Sequence, residues 1–273
     1  VSICVSVKVG EGVVIAADSA ITVAQPLSPQ QPDRMAVHQV YEHGNKIFQV
    51  GDYPIGVATW GVGSLGGRSV ASLLGEFSDN EPLKASWSVD DVADRVYKFV
   101  THRYREAFQG AVEVPSERGP ALGLLVVGAG PKGYDVEQYV GLLPLEPEPG
   151  PARKEGIPPY GANWYGQTDA ILRLYKGFDP QIDARLQKAG LTPQQIRGVL
   201  DGLEYPAAYD HMPIQDAIDL ALYLVGVVVG RFRFVVGPAL CGGDIDVAVV
   251  SARPRQFQWV RRKEWRARPI WSA

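Results

Sequence analysis

Near the start of the chain the apolar positions come in two patterns. Ile3, Val5, Val7 and Val9 alternate with Ser2, Cys4, Ser6 and Lys8, a period of two that predicts a strand with two different faces. Gly10-Glu11-Gly12 interrupts it, and Val13 to Ala17 is a continuous run of small apolar residues, expected for a strand buried on both sides. The short Gly-flanked link makes the two a hairpin. The same logic predicts strands at Lys46 to Val50 and Ile55 to Trp60, joined by the turn signal Gly51-Asp52-Tyr53-Pro54.

Helical spacing takes over at Ser69 to Phe77 and at Val89 to Phe108. In the second, Ser88 is placed to cap, Asp90 and Asp91 fall in the first turn, and Val92, Val96, Phe99, Val100 and Tyr104 share one face. Strands return at Leu122 to Val127 and Tyr134 to Leu142. Six prolines between Pro144 and Pro159 then predict a loop. Helices are expected at Thr168 to Tyr175, Gln181 to Lys188, Pro193 to Leu203 and Ile214 to Val229, and closing strands at Ile245 to Val250 and Phe257 to Val260. This order suits an α+β layered fold better than regular βαβ alternation. Without a complete strand set on either side of the Pro-rich segment, one domain spanning 1–273 is the expectation.

Composition narrows the classes. The 273 residues are 46% hydrophobic and 21% charged, which excludes disorder and collagen-like repeats. A net charge of −3 gives no global attraction to nucleic acid or anionic lipid. Cys4 and Cys241 stand far apart, so no disulfide framework or zinc-type spacing is present. The N-terminal residues lack a signal-peptide pattern, and the apolar run Leu220 to Val229 falls short of the roughly 20 residues of a membrane span. A cytoplasmic protein without membrane contact is expected.

The chemistry concentrates in the first hairpin. If it is symmetric about Glu11, Cys4 faces Asp18, and Ser2 lies one diagonal from Asp18, at roughly 7–8 Å. A lysine amine between them touches both hydroxyl and carboxylate, and Lys46 is the candidate. A serine at the start of a chain can use its own α-amine as general base, because that amine titrates near neutral pH. A lysine cation beside it lowers the amine's pKa further, and an aspartate keeps the lysine charged and aimed.

These residues resemble the proteasome β-type N-terminal nucleophile (Ntn) hydrolases and their bacterial ring-forming relatives. The resemblance is carried by Gly12-Val-Val-Ile-Ala-Ala-Asp-Ser-Ala-Ile-Thr22, by Asn45-Lys-Ile-Phe and by Gly56-Val-Ala-Thr-Trp-Gly61. It is good from Val1 to about Gly75 and weaker beyond, where Gly166-Gln167 and Cys241-Gly-Gly-Asp-Ile-Asp-Val247 are similar to later family segments. It implies a four-layer αββα sandwich, with Ser2 at the nucleophile position, Asp18 and Lys46 at the catalytic aspartate and lysine positions, and the backbone around Trp60 and Gly61 as oxyanion hole. It further implies peptide or other amide substrates, a homo-oligomeric ring, an ATP-dependent unfoldase as a conceivable partner, and no cofactor or metal.

The chain departs from that pattern. Serine replaces threonine, Gln167 stands at a supporting-serine position, and Pro238 and Cys241 replace a second aspartate and another serine. Val1 precedes Ser2, whose amine is free only once Val1 is removed. Two alternatives stay open: a catalytically inactive ring-forming scaffold, and a small-molecule amidase.

Other features read as structural. Gly61, Gly63, Gly66 and Gly67 lack the Gly-Lys-Ser/Thr of a phosphate loop and suit a tight strand-to-helix turn. His38, His43, His102 and His211 are scattered, unlike a metal set. Asp244 and Asp246 alternate with Ile245 and Val247 and are expected to face solvent or a neighbouring subunit. The tail from Arg253 to Ala273 combines seven Lys and Arg residues with Trp259, Trp265 and Trp271, a composition read as a protein interface rather than a nucleic-acid surface.

Overall fold

The structure is a computed structural model that describes residues 2–28, 31–81, 83–84, 86–108, 120–131, 135–144, 159–179 and 181–265. Val1, positions 145–158 of the Pro-rich segment and the tail beyond Trp265 lie outside them.

Strand β1 (Ile3–Val9) and β2 (Gly12–Ala17) form the expected hairpin. Its register is one residue off the expected one. The turn is only Gly10-Glu11, so Cys4 pairs with Ala17, and Ile3 comes opposite Asp18, whose N–H donates to Ile3 O at 3.3 Å. A long hairpin absent from the sequence reading follows, β3 (Ile21–Ser28) against β4 (Gln31–Tyr41), which among the described residues pairs only with itself. Next come β5 (Ile47–Gln49) and β6 (Ile55–Gly61), then the two-residue pair β7 (Ser64–Leu65) and β8 (Arg68–Ser69). Helix α1 (Val70–Asn80) is capped by Ser69, and α2 (Val89–Ala107) by a reciprocal capping box between Ser88 and Asp91.

Two strands, β9 (Leu122–Ala129) and β10 (Val136–Leu143), extend the β5–β6 pair into a four-stranded sheet ordered β10-β9-β6-β5. Strand β11 (Gly161–Gly166), also unforeseen, joins β1 on its free edge. Helices α3 (Asp169–Lys176), α4 (Ile182–Lys188), α5 (Pro193–Leu200) and α6 (Ile214–Phe232) precede the closing hairpin, β12 (Asp246–Ala252) and β13 (Arg255–Arg261). The second sheet therefore has the order β11-β1-β2-β12-β13.

The mixture of helices and antiparallel sheets agrees with the expected α+β class, and burial shows how the layers stack. Ile3, Val5, Val7 and Val9 of β1, with Val14 and Ala16 of β2, meet Ala217, Ala221, Leu224 and Val228 of α6. The opposite face, with Cys4, Val13, Ile15 and Ala17, packs on Ile47, Ala58, Leu125 and Val127 of the four-stranded sheet. That sheet's outer face, through Val57, Leu124 and Val126, takes Leu73, Phe77, Val92, Val96 and Val100 of α1 and α2. The period-two pattern of β1 is thus a division between a helix-facing apolar face and a sheet-facing face. On the latter, Lys8 is 6% exposed and its Nζ reaches Asp135 Oδ2 at 2.8 Å.

Burial also corrects the expectation for Asp246. Strand β12 lies between β2 and β13 and is covered on both faces, so Asp246 is only 3% exposed and pairs with Lys263 rather than solvent. Among the described residues no helix is long and apolar enough to cross a membrane.

Candidate active site

Strand β2 ends at Ala17, and Asp18 follows directly, opposite Ile3. Its carboxylate is buried, at 1% exposure, and fully engaged. Oδ1 accepts from the Ile3 N–H at 3.0 Å and from Lys46 Nζ at 2.5 Å; Oδ2 accepts from the N–H groups of Ala20 at 3.2 Å and Gly242 at 3.0 Å. Four donors around one carboxylate fix its orientation.

Lys46 sits just before β5, where its carbonyl accepts from the Thr59 N–H at 2.9 Å, so β6 holds its backbone in place. Its side chain is 7% exposed against 0% for Asp18. Desolvating two charges is compensated only by good geometry. The short contact and the additional N–H donors to Asp18 supply it.

Ser2 is 4% exposed, and its carbonyl accepts from the Gln167 N–H at 2.8 Å. Gly166, at the end of β11, has φ +96°, and a Cβ there would lie 2.1 Å from Ser2 O. The end of β11 is thus shaped around the Ser2 carbonyl. Ser2, Lys46 and Gly61 line one cleft of about 240 Å³ together with His43, Thr59, Trp60, Val62 and Val70. Gly61 has φ +93°, and a Cβ there would meet Ala121 O at 2.0 Å, so only glycine fits this end of β6. Trp60 stacks on Tyr165 of β11 with ring centroids 4.5 Å apart, linking the two sheets beside the cleft.

Among the described residues no hydrogen bond joins the Ser2 hydroxyl to Lys46; the structure brings both to the cleft, and Lys46 touches the carboxylate. Gln167 contributes its backbone rather than a hydroxyl. Pro238 is exposed. Cys241 is buried and precedes the Gly242 N–H that binds Asp18. Burial pushes both thiols up to about 12; for Cys4 the nearby Lys46 opposes this shift and Asp18 adds to it, and for Cys241 Asp18 adds and Lys46 opposes. Both cysteines are therefore neutral at physiological pH, beside the ion pair. Among the described residues no cluster of three or more His, Cys, Asp or Glu is placed to hold a metal.

Sequence reasoning quoted Ser19 only as part of the motif around Asp18 and set His43 aside as a scattered histidine, although it lines the cleft. Ser19 follows Asp18 directly and donates its hydroxyl to Asp244 O at 2.6 Å. Adjacency to the aspartate was the one available signal.

No family model and no curated protein matches this chain. Solved structures do. The Anbu complex from Pseudomonas aeruginosa, described as a helical assembly, aligns with a TM-score of 0.51 at 14% identity over 96% of this chain and 88% of that one. Anbu (ancestral beta-subunit) from Yersinia bercovieri aligns with a TM-score of 0.48 at 13% identity, over 96% and 88%. The likeness to the first shows a shared fold. It also corrects the family read from the N-terminal motifs: the structural neighbours are Anbu proteins, proteasome-like but distinct from the proteasome β-type family itself. The motif around Asp18 describes a strand and turn that the fold uses, which is too little chain to separate one family from another.

Proposed function

We propose that this chain is a proteasome-like amide hydrolase of the N-terminal nucleophile kind, one domain in the αββα sandwich of that type, with peptides as substrates. The carrying observation is the buried Asp18–Lys46 pair, whose lysine lines the same cleft as Ser2. Once any residue preceding Ser2 is removed, its α-amine takes the hydroxyl proton as Oγ attacks the amide carbon. Lys46 holds a positive charge beside the developing oxyanion and the amine, and Asp18 aims it. The amine then passes the proton to the leaving nitrogen as the C–N bond breaks, and water cleaves the resulting seryl ester. Backbone amides around Trp60 and Gly61 are the candidate oxyanion donors.

Oligomerisation belongs to the same proposal. The Anbu relative's description as a helical assembly, and the exposure of Trp265, support a homo-oligomer, whether ring or helix, working in the cytoplasm. The absence of a Ser2 to Lys46 hydrogen bond among the described residues favours a second reading, a scaffold that keeps the fold without the chemistry.

Intact mass and N-terminal sequencing of purified protein, followed by treatment with an acylating β-lactone, separate the two. The hydrolase reading expects a chain starting at Ser2 and one covalent adduct on Ser2. A blocked Ser2 amine in homogeneous native protein, or no adduct, leaves the scaffold.

A further inference from the structure

A second buried ion pair reaches the first through Ser19, the residue that follows Asp18. Lys263, two residues beyond β13, folds back so that its side chain is 3% exposed, against 4% for its partner Asp246 at the start of β12. Its backbone N–H donates to Asp246 Oδ1 at 2.8 Å, and its ammonium donates to Asp246 Oδ2. A further ammonium N–H goes to Ser19 Oγ at 3.0 Å, and that hydroxyl donates to Asp244 O at 2.6 Å. Ser19 itself is completely buried.

The backbone of Ser19 is a junction. Its N–H donates to Gly242 O at 2.9 Å, and its carbonyl accepts from the Gly44 N–H at 2.8 Å. Gly242 returns its own N–H to Asp18 Oδ2, and Gly44 stands two residues before Lys46. Three loops that share no secondary structure, around Asp18, Gly44 and Gly242, therefore meet at Ser19. Each contributes to the Asp18–Lys46 geometry.

A buried ion pair is a weak stability device, because an apolar pair of similar volume does as well. Its advantage is direction: charge-assisted hydrogen bonds are short and hold their geometry. We infer that Lys263, held by Asp246 and hydrogen-bonded to Ser19, is a positioning residue that locks the loop junction on which the Asp18–Lys46 pair depends. The inference rests on the proposed reading of that pair. It also takes one cation of the basic tail out of any interface, since Lys263 points inward.

The test uses Ser19→Ala, which removes only the hydroxyl, and the double variant Lys263→Met/Asp246→Leu, which removes both charges together so that neither is left buried without its counter-charge. Melting curves identify which variants are folded. Hydrogen exchange followed by mass spectrometry reads peptides covering Gly44 and Gly242, and β-lactone labelling at Ser2 is resolved into a maximal rate and a half-saturating concentration. Misplacement of a catalytic group by about 1 Å can lower a rate on the order of 10²-fold. Folded variants are expected to show faster exchange at both peptides and a maximal labelling rate reduced by about 10–100-fold, with half-saturation nearly unchanged. Native exchange and native labelling in a folded variant overturn the inference. If wild type does not label, the hydrolase reading fails, while the exchange arm still decides whether Lys263 locks the junction.

Discussion

Ile3 donates its backbone N–H to Asp18 Oδ1 at 3.0 Å, the same oxygen that receives Lys46 Nζ at 2.5 Å. The residue following the candidate nucleophile is thus tied to the carboxylate that orients the candidate cation. Because Ser2 is bonded to Ile3, the distance from Ser2 to Lys46 is set through Asp18 rather than by direct contact. Asp18→Asn keeps the size but leaves Lys46 buried without a counter-charge. Breaking a buried pair in this way costs about 3–5 kcal/mol. Urea unfolding should show a loss of that order, with Ser2 labelling depressed in whatever fraction remains folded; an unchanged midpoint means that the pair is not closed in solution.

Lys46→Ala removes the other partner. Asp18 then keeps three backbone donors, from Ile3, Ala20 and Gly242, so the fold is expected to survive better than in Asp18→Asn. Loss of one contact to the developing charge typically costs about 10²–10³ in rate. Labelling at Ser2 should fall by that factor, and Lys46→Arg should restore little of it, since a planar guanidinium is longer and cannot place a compact cation at 7% exposure. Equal labelling of Lys46→Ala and wild type would make Lys46 a purely structural residue.

The chain announced some of this and concealed the rest for identifiable reasons. The N-terminal hairpin was legible because β1 has chemically distinct faces, and α2 because Ser88 and the Val92, Val96, Val100 and Tyr104 stripe mark its start and its buried side. Register was misplaced because alternation does not encode turn length; a two-residue turn at Gly10-Glu11 moves Asp18 opposite Ile3. Strands β3 and β4 carry Pro26, Pro32 and several glutamines and among the described residues pair only with each other, so no regular alternation in the sequence reveals them. Asp246 was misread because alternation presumes one wet face, and β12 has none. Lys263 was hidden among tail cations because its partners Ser19 and Asp246 are distant in sequence.

The two thiols give a pH prediction. Burial holds Cys4 and Cys241 at about 12, against an ordinary thiol value of 9.0. Above pH 9 the unfolded chain loses these protons while the native state keeps them, so the unfolded state binds fewer protons and stability falls as pH rises from about 9 toward 12. Urea midpoints should decline over that window, and the Cys4→Ala/Cys241→Ala variant should decline less steeply. Both thiols should also resist a disulfide reagent at pH 8 in native protein and react on unfolding; rapid reaction in the native state contradicts their burial.

The position of Ser2 can be probed from β11. Gly166 has φ +96°, and an alanine Cβ there would lie 2.1 Å from Ser2 O and 3.0 Å from Ser2 C. Gly166→Ala therefore imposes two penalties: backbone strain of about 1–3 kcal/mol for a non-glycine residue at this φ, and a collision relieved only by moving Ser2. Gly67 separates them, since it has φ +79° with nothing within 4 Å of its would-be Cβ. Gly67→Ala should show the strain alone, as a lowered urea midpoint with labelling of Ser2 by the β-lactone unchanged. Gly166→Ala should show a larger stability loss and, in its folded fraction, labelling slowed by about tenfold or more, because the hydroxyl no longer sits where the Asp18–Lys46 pair can act on it. Equal labelling rates in the two variants would mean that the β11 end, with its Gln167 N–H on the Ser2 carbonyl, does not place the nucleophile.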